Sequence, residues 1–192
     1  MRVPVDLIDD IVACKAPVTV GMAFRLARAL GTTPFLWARM QAESDIDTAL
    51  EAKNIDTGPI MRLVPDHKVP HRMSGPTVGP DPPDERSVRI PLGTHPGKVL
   101  RESFLEALDI GPASLAENIG VPLQTILDFA ACRTPATVDL GIRLAKALGT
   151  TASIWTRLQA DHDVEQMRQQ VGHEFDFIEC MTPSVPVPLW SP

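Results

Sequence analysis

The sequence has little of what marks export, metal binding or catalysis, and each shortage removes a class of function. Three cysteines, at positions 14, 132 and 180, and five histidines make no metal-like spacing. They read as reduced intracellular thiols, and no metal and no cofactor is expected. No apolar run approaches the ~20 residues that span a bilayer. The opening residues, MRVPVDLIDDIVACK, carry acids where a signal peptide has its apolar core. A cytoplasmic location with no membrane partner is the expectation. No Gly-rich phosphate loop, paired-carboxylate arrangement or nucleophile–base signature occurs, so an enzyme is not expected. A basic surplus is missing too: 18 Lys and Arg face 24 Asp and Glu, a net charge of −6. That argues against a protein that coats nucleic acid but leaves room for a reader of one short site.

What is present is concentrated in residues 112–131, PASLAENIGVPLQTILDFAA. Leu115, Ala116 and Ile119 form the inner stripe of one short helix; Ile126 and Phe129, three apart, form that of a second. Gly120 stands where the chain must turn and takes positive φ without steric cost. Pro122 suits the first turn of the following helix. A small residue four before the Gly, with apolar residues one, six and nine after it, is what a helix-turn-helix requires. An ordinary helical hairpin is the plain alternative.

The chain also repeats itself. Shifted by 118, residues 3–47 overlay residues 121–165 without a gap, with 22 of 45 positions identical. Two copies are too few for a solenoid, so this is duplication of one module. The second copy is complete. Its first helix is predicted over residues 94–108, with Val99, Leu100, Phe104, Leu105 and Leu108 on one face. The two helices of the turn motif follow. A fourth helix is N-capped by Thr137 and ended by Gly149, and a fifth starts at Thr151. The first copy holds only counterparts of the third to fifth helices, so Ile8, Ile11, Leu26 and Leu30 need cover. An upstream start, packing on the second copy, or decay of the first are all compatible with this.

The domain organisation expected is therefore a partial repeat at 1–53, a Pro/Gly-rich linker at 54–93, a complete domain at 94–170 and a flexible tail at 171–192. The linker is expected to be an extended, mobile segment, with polyproline character around residues 80–83. Trp190 near the end of the tail leaves a docking anchor and a loose tail both open.

Residues 95–164 resemble the HigA family of antitoxins within the larger Cro/C1-type helix-turn-helix class. The resemblance is carried by His95-Pro96-Gly97, Val99-Leu100, Phe104-Leu105, Leu115-Ala116, Gly120-Val121-Pro122, Ile126, Thr137, Arg143-Leu144-Ala145, Leu148-Gly149 and Trp155-x-x-Leu158-Gln159. It implies an all-α, five-helix, lambda-repressor-like bundle, here preceded by a partial copy. It also implies binding to the protein's own operator on double-stranded DNA, repression of its operon, and neutralisation of a RelE/HigB-like mRNA interferase toxin. Self-association is implied as well; the partial first copy adds a second expectation, an intramolecular pseudo-dimer in which it stands in for a partner.

If the second helix of the motif enters the major groove, its N-terminal residues face base edges. These are Leu123, Gln124 and Thr125, with Leu127 and Asp128 further along. Gln124 suits bidentate pairing with adenine, and Thr125 a base edge or thymine methyl. Phosphate contacts are expected from Ser114, Arg133, Thr134 and Thr137. Family members carry a more polar reading helix and a loop of Asn-Gly-Lys/Arg type, where this chain has Ala130-Ala131-Cys132-Arg133-Thr134. The first copy sets Asp6, Asp9 and Asp10 on the equivalent helix with only Lys15 in its loop, and is not expected to read DNA. Cys14 and Cys132 read as small buried hydrophobes, and His95 as a group that caps or packs near the start of the first helix. His162 is expected to pack on a helix surface, and Trp37 and Trp155 to be core or interface groups. The alternatives to an antitoxin are a degenerate scaffold acting only through protein contacts, or a stand-alone transcriptional regulator.

Overall fold

The computed structural model describes residues 4–52, 55–65, 90–175, 178–179 and 181. The expectations for residues 80–83 and for the tail beyond 181 lie outside the described residues. Among the described residues the regular structure is all helical, and the second copy is a five-helix bundle.

In that copy the helix starts and stops follow local chemistry. The Nδ1 atom of His95 accepts the Gly97 N–H at 3.0 Å, and Pro96 occupies the first helical position of α4 (Pro96–Leu100). The chain then continues as a π-helical turn, Arg101–Glu106, instead of the uninterrupted α-helix predicted. The wider turn turns adjacent Phe104 and Leu105 inward together, at 0% and 8% exposure, while Arg101 donates to the Ala130 carbonyl. Helices α5 (Pro112–Ile119) and α6 (Leu123–Ala130) form the turn motif. Thr137 caps α7 (Val138–Leu148) by accepting from Leu140 N–H, and Gly149 ends it at φ 72°. The last helix is α8 (Ala152–Val171). Leu115, Ile119, Ile126, Phe129, Leu144, Leu148 and Trp155 are all fully buried. Each such side chain contributes about 1.5–3 kcal/mol. Trp155 also donates to the Thr150 hydroxyl, so its one polar atom is satisfied inside the core.

The first copy repeats these devices in α1 (Val5–Val12), α2 (Val20–Leu30) and α3 (Pro34–Glu51). Thr19 caps α2, Gly31 ends it at φ 66°, and Trp37 donates to Thr32 at 2.8 Å. Trp37 is half-buried, unlike its fully buried counterpart Trp155.

The two copies pack against each other in a reciprocal arrangement. Helix α3 lies along α8, α2 reaches α8, and α7 reaches α3. Phe24 and Ala38 of the first copy share an apolar cluster with Val164 and Phe175 of the second. The guanidinium of Arg39 grips the Asp161 carboxylate with two bonds of 2.6 Å, and the Asp161 side chain is 9% exposed. Hydrogen bonding to Asp161 raises the Arg39 pKa above its ordinary value, against the opposing effect of burial.

Two straps complete the exchange. Residues 55–65 carry no helix, as Pro59 and Pro65 predict, and they lie on the second copy. Ile60 and Val64 are 5% and 1% exposed within its core, and the Leu63 N–H donates to Ala147 O at 2.7 Å. Asn118 clasps the Met61 peptide from both sides, donating to its carbonyl and accepting its N–H. At the other end of the chain Phe175 stacks on Phe24 and the Met181 N–H donates to Ala29 O at 2.7 Å. These two backbone bonds are related by the same shift of 118.

Packing on the second copy buries Phe24 and Ala38. It does not cover the whole module. Ile8, Ile11 and Leu26 stay half-buried and Leu30 is 38% exposed, whereas their counterparts Ile126, Phe129, Leu144 and Leu148 are at 0%.

Candidate nucleic-acid interface

The surface to be judged is the outer side of α6, and its pose follows from the turn before it. Gly120 adopts φ 68°, which a side chain would resist, and Val121 N–H reaches back to Ala116 O at 3.0 Å. Pro122 lies just ahead of α6, at the capping position, not inside the first turn. Arg143 then fastens α7 to this corner. It is held by Asp139 and donates to Ile119 O at 2.9 Å. The sequence stretch alone did not reveal this brace, although an Asp and an Arg four apart on one helix is its local signal.

With Ile126, Phe129 and Ala130 turned into the core, the other side of α6 is outward. Leu123 is 42% and Leu127 39% exposed, Gln124 is exposed, and Thr125 and Asp128 are half-buried. Gln124 and Asp128 come together with Arg133. Gln124 Nε2 donates to Asp128 Oδ1 at 2.9 Å, and the Arg133 guanidinium forms an ion pair with the same oxygen at 2.7 Å. The Arg133 partnership is the feature that residue spacing hid. It depends on the chain reversing at Cys132, which takes φ 60° while its N–H bonds to Phe129 O.

The other expected contacts surround this cluster. Ser114, on the first turn of α5, is exposed, as are Thr134 and Thr137. The Thr137 oxygen accepts from Leu140 N–H, which leaves its hydroxyl proton for an outside acceptor. Arg133 has 63% of its side chain exposed, so it can neutralise Asp128 and still present N–H groups outward.

The cysteines and the two histidines compare differently with expectation. Cys14 and Cys132 are not buried hydrophobes; both are exposed. Each occupies a left-handed backbone position, φ 55° and 60°, just after its helix. Such a residue lies beyond the last inward-facing turn, so its side chain leaves the core. His95 caps its helix as expected. Burial pushes its imidazole below the ordinary value, with neighbouring His162 adding to the effect and Asp163 opposing it. His162 packs edge-on against His95, with Nδ1 placed 2.8 Å from Gly93 O.

The equivalent helix of the first copy, α1, has a different charge pattern. Asp6, Asp9 and Asp10 are all exposed, and the loop after it supplies only Lys15. Asp6 stands where the second copy has Gln124, and Asp9 where it has Leu127. Among the described residues no cluster of three or more His, Cys, Asp or Glu is placed to hold a metal, and no helix is long and apolar enough to cross a membrane.

No protein-family model matches the chain. Individual relatives do. Antitoxin HigA-1 of Vibrio cholerae is 31% identical over 83 residues, which is 43% of this chain and 78% of that protein. The HTH-type transcriptional regulator YbaQ of Escherichia coli is 31% identical over 78 residues, 41% of this chain and 69% of its own. Among solved structures, the Pseudomonas aeruginosa antitoxin HigA with the higBA promoter is 29% identical. That match covers 48% of this chain and 99% of the other, with a TM-score of 0.44. Each match spans less than half of this chain, about the extent of one copy. A turn set by Gly120, helices capped by His95 and Thr137, and an antitoxin 31% identical across more than three quarters of its length lead to one assignment: this chain belongs to the HigA family of helix-turn-helix antitoxins.

Proposed function

We propose that this protein is a cytoplasmic, operator-binding antitoxin in which one chain reads one half-site. The second copy does the reading: α6 enters the major groove, with Gln124, Thr125 and Leu123 toward base edges. Ser114, Arg133, Thr134 and Thr137 hold flanking phosphates. The observation that carries this reading is the charge contrast between α6 and α1. On α6 the single carboxylate, Asp128, is cancelled by Arg133 at 2.7 Å. On α1 three exposed carboxylates face one exposed lysine. Phosphate attraction supplies most non-specific affinity, so the first copy is held off DNA while the second is admitted. The first copy occupies α8 as a second protomer would, making an intramolecular pseudo-dimer. Repression of its own operon and neutralisation of a RelE/HigB-like toxin complete the reading, as the HigA resemblance implies; the Vibrio relative is itself an antitoxin.

Fluorescence anisotropy on the chain's own upstream DNA tests this, beside scrambled DNA and at several salt concentrations. The expected result is preference for its own DNA, reduced in Gln124→Ala by about 1–3 kcal/mol of discrimination. A shallow salt slope is expected, because few phosphates are contacted. Equal weak binding to both DNAs would overturn operator reading. It would support a second reading, a scaffold acting through protein contacts, which the net charge of −6 favours. Co-expression with a small basic RelE-like chain tests the toxin-binding part separately.

A further inference from the structure

We propose that Asp128 is a positioning residue for base recognition: it fixes the orientation of the Gln124 carboxamide and so directs α6 to an adenine. The inference deepens the operator-reading assignment and rests on it. An amide side chain is a selective reader only when its oxygen and nitrogen ends are fixed, because the two ends have opposite hydrogen-bonding roles. Adenine sets an acceptor, N7, beside a donor, N6–H2, and takes the amide in one orientation only. Turned over, the amide meets donor with donor and acceptor with acceptor. An amide free to turn also offers its N–H groups to guanine O6, and discrimination falls.

The geometry supplies the fixing group. Gln124 is exposed on the outward side of α6, one helical turn ahead of Asp128, and its Nε2 donates to Asp128 Oδ1 at 2.9 Å. An ionised carboxylate has no proton to give, so it accepts from the nitrogen end of the amide and rejects the oxygen end. The carbonyl Oε1 and the second N–H remain to meet a base. Asp128 is itself held in place. The Arg133 N–H donates to Asp128 O at 2.9 Å after the reversal at Cys132, and the Arg133 guanidinium pairs with Asp128 Oδ1 at 2.7 Å. A carboxylate near phosphates weakens binding. The ion pair offsets that repulsion at the one place where a carboxylate serves the reading side chain.

The first copy acts as an internal control. Its loop closes in the same way, with the Lys15 N–H on Asp10 O at 2.8 Å, so both the backbone reversal and the carboxylate are kept. Asp6, however, stands where the second copy has Gln124. Like charges one turn apart on a helix repel, and no amide remains to be oriented. The amide held by a carboxylate belongs to the copy assigned to DNA and is missing from the copy that is not.

The test measures binding of the whole chain to its own upstream DNA and to variants in which each base pair is changed in turn, by competition anisotropy. The base pair at which Gln124→Ala loses discrimination marks the Gln124 contact. The unsubstituted chain should favour adenine over guanine there by about tenfold. Asp128→Asn keeps the shape but offers oxygen and nitrogen alike, so the Gln124 amide is no longer fixed. Adenine preference at that pair should fall to about threefold or less, while discrimination at other pairs is unchanged. Binding to scrambled DNA should be equal or tighter, since one negative charge is gone. Asp128→Ala should give the same loss of preference. Arg133→Ala should weaken binding to every sequence and leave the adenine preference in place. A preference that survives in both Asp128 variants, with affinity raised equally for all sequences, would overturn the proposal and leave operator reading intact. Equal binding of the unsubstituted chain to every variant would overturn operator reading and this proposal together.

Discussion

The two copies share half their aligned sequence, yet the second is roofed on both sides and the first on only one. Phe129, Leu144 and Leu148 have no exposed surface; Ile11, Leu26 and Leu30 at the same positions do. The side chains are almost the same. What differs is the presence of α4 and α5 above one set. The same asymmetry recurs in charge, since Asp128 has Arg133 as a partner while Asp6, Asp9 and Asp10 crowd one short helix. Identical local rules therefore yield a complete five-helix module and an incomplete one.

Truncations in the two cores give the largest contrast. Phe129→Ala should cost about 3–5 kcal/mol and Leu148→Ala about 2–5, by urea denaturation. Leu30→Ala, at its exposed counterpart, should cost less than about 1 kcal/mol. Equal losses at Leu148 and Leu30 would show that the first copy is as well covered as the second. Gly97→Ala belongs with the large effects. A Cβ there would stand 1.7 Å from Phe129 O, so α4 would have to lift off α6. A loss of about 3 kcal/mol is expected, at the upper end of overpacking.

Next is the contact between copies. Arg39→Ala leaves Asp161, 9% exposed, without its fork. A loss of about 1.5–3 kcal/mol is expected for removing hydrogen bonds to a charged group. It should appear as separation of the two copies' unfolding transitions. A single unchanged transition would remove the ion pair from the list of things that join them.

A smaller effect is tied to pH. The His95 pKa is lowered from its ordinary 6.5, chiefly by burial. Nδ1 can accept the Gly97 N–H only while that nitrogen is unprotonated. Between the two values the unfolded chain binds more protons than the folded one, so stability rises with pH there. The stabilisation is complete above the ordinary value and is lost as pH falls toward the folded one. About 1 kcal/mol, the worth of a cap, should be lost progressively as pH falls from above the ordinary value through the folded one. His95→Asn, which caps without titrating, should remove that dependence in thermal melts.

The smallest expected effect is shared by both copies. Cys14 and Cys132 hold left-handed backbone that glycine would occupy freely. Substituting either with glycine should stabilise by up to about 1 kcal/mol, as relief of the left-handed penalty outweighs added chain entropy. A difference between the two sites would report how firmly each loop is held.

Much of this was written locally. The caps at His95, Thr19 and Thr137, the stops at Gly31 and Gly149, and the inward stripes of α5 and α6 rest on neighbours within one turn. They are therefore readable from spacing. The repeat and the family resemblance followed from residue identity over the same span. Tertiary structure decided the rest, because it joins residues that no local period connects. Arg39 meets Asp161 across 122 positions, and Met61 meets Asn118 across 57. The pairing of Asp128 with Arg133 needed the reversal at Cys132. The π-helical turn arose where Phe104 and Leu105 both had to reach one core. Which apolar faces found a roof depended on the packing of whole helices, a matter of long-range burial that hydrophobic periodicity marks but does not assign.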